Sequence, residues 1–300
     1  LNMCFNSSSA WFDYNNDGFL DIYTSDYRSS CSGNKLYKNN GNGTFTDVTN
    51  LVIPQNENDF TFMSVPFDFN NDGLLDIYNV NDHGGDNRLF TSNTNGQVYS
   101  ETSGLFNINN ANNAMGIDIA DYDNNESFEL FVTTIGDNKL FEKDGGGFVN
   151  NSALLGISDS GWSWDTKFWD FDNNGYQDIF ITNGFKNNSQ ENKFYVNQNS
   201  NGLNEFVEQS SVYGLNHEGY SASSVTFDFD NDGDLDLFVT NIFEPPLFYE
   251  NKTITNNQST DKNWVKIYLN GVTSNKNGVG SIVTIKTQNQ TLKRYNTGIG

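Results

Sequence analysis

Five short segments of this 300-residue sequence carry oxygen-bearing side chains at one repeated spacing. They read Asp13-Tyr-Asn-Asn-Asp-Gly-Phe-Leu-Asp21, Asp68-Phe-Asn-Asn-Asp-Gly-Leu-Leu-Asp76, Asp121-Tyr-Asp-Asn-Asn-Glu-Ser-Phe-Glu129, Asp170-Phe-Asp-Asn-Asn-Gly-Tyr-Gln-Asp178 and Asp228-Phe-Asp-Asn-Asp-Gly-Asp-Leu-Asp236. Counting from each first Asp, positions 1, 3, 5 and 9 hold Asp13, Asn15, Asp17 and Asp21 in the first loop. The second has Asp68, Asn70, Asp72 and Asp76, and the third Asp121, Asp123, Asn125 and Glu129. The fourth has Asp170, Asp172, Asn174 and Asp178, and the fifth Asp228, Asp230, Asp232 and Asp236. Calcium takes six to eight hard oxygen ligands, and a loop that wraps an ion supplies them from alternate positions. Position 7 can add a backbone carbonyl. Gly18, Gly73, Gly175 and Gly233 at position 6 permit the φ > 0 turn that such a wrap needs. The third loop departs from this pattern, with Glu126 in place of Gly, and is expected to hold an ion least well. Without a cation, each close carboxylate pair would cost up to ~4 kcal/mol at a surface-like dielectric. The plainer reading is that Asp, Asn and Gly simply make good turns. Five such loops in register favour metal, and four to five structural Ca²⁺ ions are expected.

The loops recur at roughly fifty-residue intervals, the repeat size of a propeller blade. Each lies between short runs rich in Phe, Tyr, Val and Ile, such as residues 63–69 and 75–80, which read as strands joined by a hairpin. A second repeated element follows each loop: Asn34-Lys-Leu-Tyr, Asn87-Arg-Leu-Phe, Asn138-Lys-Leu-Phe, Asn192-Lys-Phe-Tyr and Pro246-Leu-Phe-Tyr. Asn/Gly-rich turns behind most of them mark another hairpin. Two hairpins per repeat make a four-stranded antiparallel blade, and blades bury both faces only by stacking around an axis. Gly and Asn are too dense for long helices. The expected fold is an all-β β-propeller over residues 1–255, with five blades visible. A polar linker over 256–262 precedes the start of a second, small β domain over 263–300. Residues 264–269 and 281–286 read as two of its strands, and Lys262, Lys266, Lys276, Lys286, Lys293 and Arg294 make this part basic.

The composition narrows the function. Lys and Arg number 16 against 38 Asp and Glu, a net charge of −22, which argues against nucleic acid or an anionic membrane as partner. No apolar run approaches the ~18 residues of a membrane span. Only 35% of residues are hydrophobic, yet 25 Phe and 14 Tyr supply a large core payload, so the chain is not read as disordered. Cys4 and Cys31 could pair or remain thiols; the sequence leaves both open. No leader precedes Leu1 and the last residues stop without a terminal element, so a piece of a longer protein is expected.

The segment Phe227-Asp-Phe-Asp-Asn-Asp-Gly-Asp-Leu-Asp-Leu-Phe-Val-Thr-Asn241 resembles the FG-GAP/VCBS repeat of integrin α-subunit propellers and many bacterial surface proteins. Residues 160–184, with Trp162, Trp164 and Trp169 ahead of the fourth loop, resemble the late repeat of proteins that pair this propeller with an ASPIC/UnbV domain. Asn263-Trp-Val-Lys-Ile-Tyr-Leu-Asn-Gly and Asn275-Lys-Asn-Gly-Val-Gly-Ser-Ile-Val-Thr-Ile resemble the opening of that domain. Taken together, the chain is similar to the cartilage acidic protein family. The resemblance implies a calcium-loaded propeller, usually of seven blades in the intact protein, exported or displayed at the cell surface. It implies a binding or adhesive role more than a chemical one.

Catalytic signatures are missing from the sequence. His83 and His217 sit in loops, and no nucleophile elbow, Walker loop or zinc motif is present. An extracellular protein or a glycan is the expected partner. A calcium-dependent polysaccharide lyase is the alternative. The three clustered tryptophans could stack on sugars, but strand aromatics are more often core, and Trp11 and Trp264 read the same way. Chelation should destabilise the chain: a melting temperature unchanged by EDTA would count against metal in the loops.

Overall fold

The computed structural model describes residues 6–27, 33–54, 59–93, 97–199, 205–254 and 263–297. Cys4, Cys31 and the 256–262 linker lie outside the described residues, so neither the pairing nor the linker is addressed by it.

Five repeats form five blades. In blade 2, the strands Thr61–Phe67, Asp76–Asn81, Arg88–Asn93 and Val98–Glu101 pair antiparallel in chain order. Blade 1 repeats this with Asn6–Phe12, Asp21–Asp26, Lys35–Asn39 and Phe45–Asp47, and blade 3 with Ile117–Ala120, Glu129–Val132, Lys139–Asp144 and Gly147–Asn150. Blade 4 uses Ser163–Trp169, Asp178–Asn183, Lys193–Asn197 and Phe206–Glu208. Blade 5 has three strands among the described residues, Ser221–Phe227, Asp236–Asn241 and Leu247–Tyr249. Every acidic loop joins a blade's first strand to its second, so all five loops lie at the same end of the blades.

The second strands explain why the sequence runs apolar there. Asp76–Asn81 and Asp178–Asn183 are buried at every position, flanked by strands in the sheet and covered on both faces by neighbouring blades. Each of the four interfaces between consecutive blades has its own apolar cluster. Phe12, Tyr23 and Leu36 meet Ile77 and Phe90 between blades 1 and 2. Trp169, Phe180 and Phe194 meet Leu237 and Val239 between blades 4 and 5. The first strands of blades 2 to 5 surround a central cavity of about 390 Å³.

The repeated Asn at the start of the second motif is more than a turn residue. Asn34, Asn87, Asn138 and Asn192 are buried. Their Oδ1 atoms accept the backbone N–H of Asp26, Asn81, Thr134 and Asn183 at 2.8, 2.9, 2.8 and 2.9 Å. Three of their amides reach toward the next blade: Asn34 donates to Thr61 Oγ1 at 2.9 Å, Asn192 to Ser221 Oγ at 2.9 Å, and Asn138 to Ser160 Oγ. One side chain thus closes the corner of its own blade and ties it to its neighbour.

Of the two C-terminal strands expected, the one over 281–286 forms, as Ile282–Lys286, and the one over 264–269 does not. Ile282–Lys286 pairs with Thr291–Tyr295 in a hairpin. This hairpin packs on the propeller at the acidic-loop end. Tyr295 lies edge-on to Phe67 at 5.0 Å and donates to the carbonyl of Pro66 at 2.6 Å. An alternating pattern marks a strand able to be half-buried, but pairing needs a partner edge, and none faces 264–269 among the described residues.

The buried Asn contacts set an expectation. Asn192→Ala leaves the N–H of Asn183 and the hydroxyl of Ser221 short of a partner and should cost about 1–3 kcal/mol. Asn187→Ala, in an exposed loop, should stay within about 0.5 kcal/mol. Urea unfolding of the two variants in calcium checks the difference.

Candidate metal centres

The loops take their shape from two left-handed residues. Position 6 has positive φ in all five, from Gly73 at 86° to Gly233 at 98°, with Glu126 at 71° in the third loop. Position 4 is also left-handed and is Asn every time: Asn16, Asn71, Asn124, Asn173 and Asn231, with φ between 54° and 62°. Asn is the side chain after Gly that tolerates this region best, which accounts for the invariant Asn at that position of the repeat.

The four assigned positions divide into two tasks. The position 9 acids Asp21, Asp76, Glu129, Asp178 and Asp236 are all buried. In every loop one of their oxygens accepts the backbone N–H of position 2, from Tyr14, Phe69, Tyr122, Phe171 and Phe229 at 3.1, 3.0, 3.3, 2.9 and 2.8 Å. In four loops the other oxygen accepts an N–H beyond the second strand, from Asn39, Ser92, Asn197 and Asn251, at 2.7 to 2.8 Å. A carboxylate assigned only as an ion ligand is therefore also the clamp that holds the loop to its blade. Position 1 caps the turn in three loops. Asp13, Asp68 and Asp170 each accept the N–H of positions 5 and 6, at 2.7 to 3.0 Å.

Three loops gather their carboxylates on one point. Asp121, Asp123 and Glu129 present oxygens within 4.8 Å of one another, as do Asp170, Asp172 and Asp178, and Asp228, Asp230 and Asp232. In the first and second loops no such group of three acids forms among the described residues. There Asn15 and Asn70 supply the position 3 oxygen, and their amides donate to Asp17 and Asp72 at 3.0 Å. Lys38 also sits 3.0 Å from Asp17. Burial works to raise the Asp17 pKa, but Lys38 and neighbouring N–H groups outweigh it and hold it below the ordinary value.

The third loop, expected from its missing Gly to be weakest, has the most demanding oxygens. Both carboxylate oxygens of Asp121 and Oε1 of Glu129 are buried with no hydrogen-bond partner. Burial, followed by repulsion from Asp123, raises Asp121 to about 6, and burial with Asp123 and Asp121 raises Glu129 to about 10. Burial likewise lifts Asp21 to about 6 and Asp76 to about 7, and puts Asp178 well above the ordinary carboxylate range. Buried, orphaned, mutually repelling oxygens are the donor set that a hard divalent cation satisfies. The residues present fit Ca²⁺.

Sequence reasoning missed three contributors. Asp234, at position 7 of the fifth loop, is buried, with Oδ1 unpartnered and Oδ2 accepting the Ile254 N–H at 2.7 Å. Its carboxyl at a position assigned only a backbone role was the available signal. Lys293 reaches the Glu126 carbonyl at 2.8 Å and its carboxylate at 3.4 Å. Arg294 is pushed down by burial and back up by Asp170 and Asp121, placing a cation beside the third and fourth loops. No spacing rule links residues so far apart in sequence.

The repeated loop-and-strand unit matches the FG-GAP-like repeat at residues 13–78, 68–132 and 170–239, more than half of the sequence. The chain belongs to the FG-GAP-like repeat family. No curated protein gives a significant match. Among solved structures, an Agrocybe aegerita lectin that recognises non-reducing terminal N-acetylglucosamine aligns at 15% identity and TM-score 0.44, covering 83% of this chain and 67% of the lectin. The V. cholerae biofilm matrix protein Bap1 aligns at 13% identity and TM-score 0.46, over 79% of this chain and 35% of its own. The Photorhabdus luminescens Tc holotoxin pore aligns at 16% identity and TM-score 0.40, over 81% and 11%. The chain thus spans about a third of Bap1 and a ninth of the toxin chain.

The tryptophans of the sequence divide differently from expectation. Only Trp169 is core, 3% exposed and stacked on Phe194 at 5.3 Å. Trp11 and Trp264 are 44% and 49% exposed, and Trp162 and Trp164 are half-buried at the end of blade 4 opposite the acidic loops. His217 faces Glu244 at 2.8 Å, and His83 packs against Phe60 at 4.6 Å.

The raised carboxylates fix a pH dependence. An acid whose folded pKa lies above its unfolded value binds more protons in the native state, so stability falls as pH rises between the two. In EDTA the melting temperature should therefore drop from pH 5 to pH 8, through the values near 6 and 7 of Asp21, Asp121 and Asp76. Saturating Ca²⁺ should flatten or reverse that slope in the same scans.

Proposed function

We propose that this chain is a calcium-stabilised binding module working outside the cell or at its surface. The observation that carries the reading is the third loop, where buried oxygens of Asp121 and Glu129 have no hydrogen-bond partner and converge with Asp123. The ions are structural. They neutralise loops that position 9 already clamps to the blades, and they leave the role of the propeller to its exposed ends.

Loops of this kind in extracellular modules bind Ca²⁺ at ~10⁻⁴–10⁻³ M, which suits an exterior rich in calcium and not the cytosol. The net charge of −22 fits the same setting, where divalent cations offset it. The partner is an extracellular protein or a glycan, and the module binds it without turnover. His217 pairs with Glu244 at 2.8 Å, and His83 packs against Tyr27 and Phe60. The C-terminal hairpin, as the opening of an ASPIC/UnbV-like domain, belongs to this reading as well.

Calorimetric titration of EDTA-treated protein should show four to five Ca²⁺ per chain. Glu129→Gln separates metal from mere turn chemistry. It removes a carboxyl that, raised to about 10, must take up a proton on folding at pH 8, so the apo variant there should melt at or above the parent temperature. It should also lose one equivalent of Ca²⁺ and part of the calcium-induced rise, about 2.7 kcal/mol per site at a hundredfold excess over Kd. An apo variant that melts lower, with stoichiometry unchanged, would overturn the assignment.

A further inference from the structure

At the end of the propeller opposite the acidic loops, side chains from blades 1 to 4 enclose a second cavity of about 570 Å³. Its wall is aromatic. Trp162 stacks on Phe185 with centroids 4.4 Å apart and planes at 23°, and Trp164 meets the same ring at 5.4 Å. Phe62 lies 5.6 Å from Trp164, and Tyr27 lies 5.4 Å from Phe62. None of these rings belongs to the apolar clusters between blades. In a chain that is only 35% hydrophobic, a contiguous set of half-buried rings at a cavity mouth is costly to leave in water.

The rings are also held in place. The Trp164 indole donates to the Gly184 carbonyl at 2.6 Å, and the Trp162 backbone N–H is fixed by Gln190 Oε1 at 2.6 Å. The Tyr27 hydroxyl is bound to Asp82, whose other oxygen takes the N–H of His83 at 2.6 Å. Gly184 allows this packing: it sits at φ 108°, and a Cβ there would lie 2.0 Å from the Gly219 carbonyl oxygen. A preformed aromatic cavity rimmed by a few polar groups is the usual form of a small-ligand site.

We propose that this cavity binds an uncharged saccharide, one or two pyranose rings laid against Trp162, Trp164 and Phe62. This inference rests on reading the chain as a binding module and names the ligand class and the site. A pyranose offers a face of C–H groups to aromatic planes and hydroxyls to the rim, where His83, Lys186, Asn6 and Ser7 stand. Charge selects against other ligands. The cavity carries one carboxylate, Asp82, and one ammonium, Lys186, while the chain as a whole repels polyanions. A methylated ammonium is disfavoured because the Lys186 Nζ already lies over the Phe185 ring, 4.7 Å from its centroid.

The test is tryptophan fluorescence and calorimetric titration of the calcium-loaded chain with cello-, chito-, manno- and galacto-tetraose, with hyaluronan tetrasaccharide as an anionic probe. At least one neutral tetraose should bind and change the fluorescence. Trp164→Ala and Phe62→Ala should each weaken that binding about tenfold or more, the loss of one stacking contact and its buried area. Trp11→Ala, remote in blade 1, should leave it unchanged. Trp162→Phe, which keeps a ring, should retain most of the affinity, so the site is still tested should an alanine variant unfold. Absence of binding to every neutral tetraose, preference for hyaluronan, or binding indifferent to Trp164 and Phe62 overturns the assignment. Calcium stoichiometry measured on the same samples keeps this failure distinct from failure of the calcium reading.

Discussion

The position 9 carboxylate is the constraint on which the rest of the structure depends. It sits at the start of each second strand, the most buried strand of the blade, and accepts N–H groups from the loop and, in four loops, from beyond the second strand. A neutral side chain could accept those bonds with less desolvation penalty. Asp or Glu is kept there at the cost of burying charge, and burial raises several of these groups far above their ordinary pKa. The accepted N–H bonds offset part of that cost, and the cation proposed above would offset more of it, which would couple ion binding to closure of the blade.

The loops were legible in sequence because their chemistry is local. Nine consecutive residues contain the turn, the ligands and the closing acid, and repetition separates them from chance. Blade number and strand order among the described residues follow from the same periodicity. The buried Asn corner stands in the sequence as a repeated residue without a visible role, because its second partner is a hydroxyl in the next blade. The third loop lacks the position 6 Gly, and Glu126 takes the left-handed conformation in its place while its three acids gather.

The tryptophans show the limit of pattern reading most clearly. Trp162, Trp164 and Trp169 share one strand approach, and period-two reasoning cannot tell which ring faces a blade interface and which faces a cavity. Trp169 lies at the loop end, inside the cluster between blades 4 and 5; Trp162 and Trp164 lie at the far end, where the interfaces open. The C-terminal segment posed the same difficulty. Alternation identified residues able to form strands; Ile282–Lys286 pairs with the adjacent Thr291–Tyr295, while Tyr295 docks the hairpin on Pro66, Phe67 and Phe128 more than a hundred residues away.

The left-handed asparagines do more than shape their own turns. The Asn124 amide donates to the Gly175 carbonyl at 3.0 Å, and that of Asn173 to the Gly233 carbonyl at 3.3 Å, joining the third loop to the fourth and the fourth to the fifth. Each bond runs from the turn of one loop to the turn of the next. The three acidic clusters are thus linked turn to turn along one rim, so an ion bound in one of them as proposed would be felt by the loop beside it.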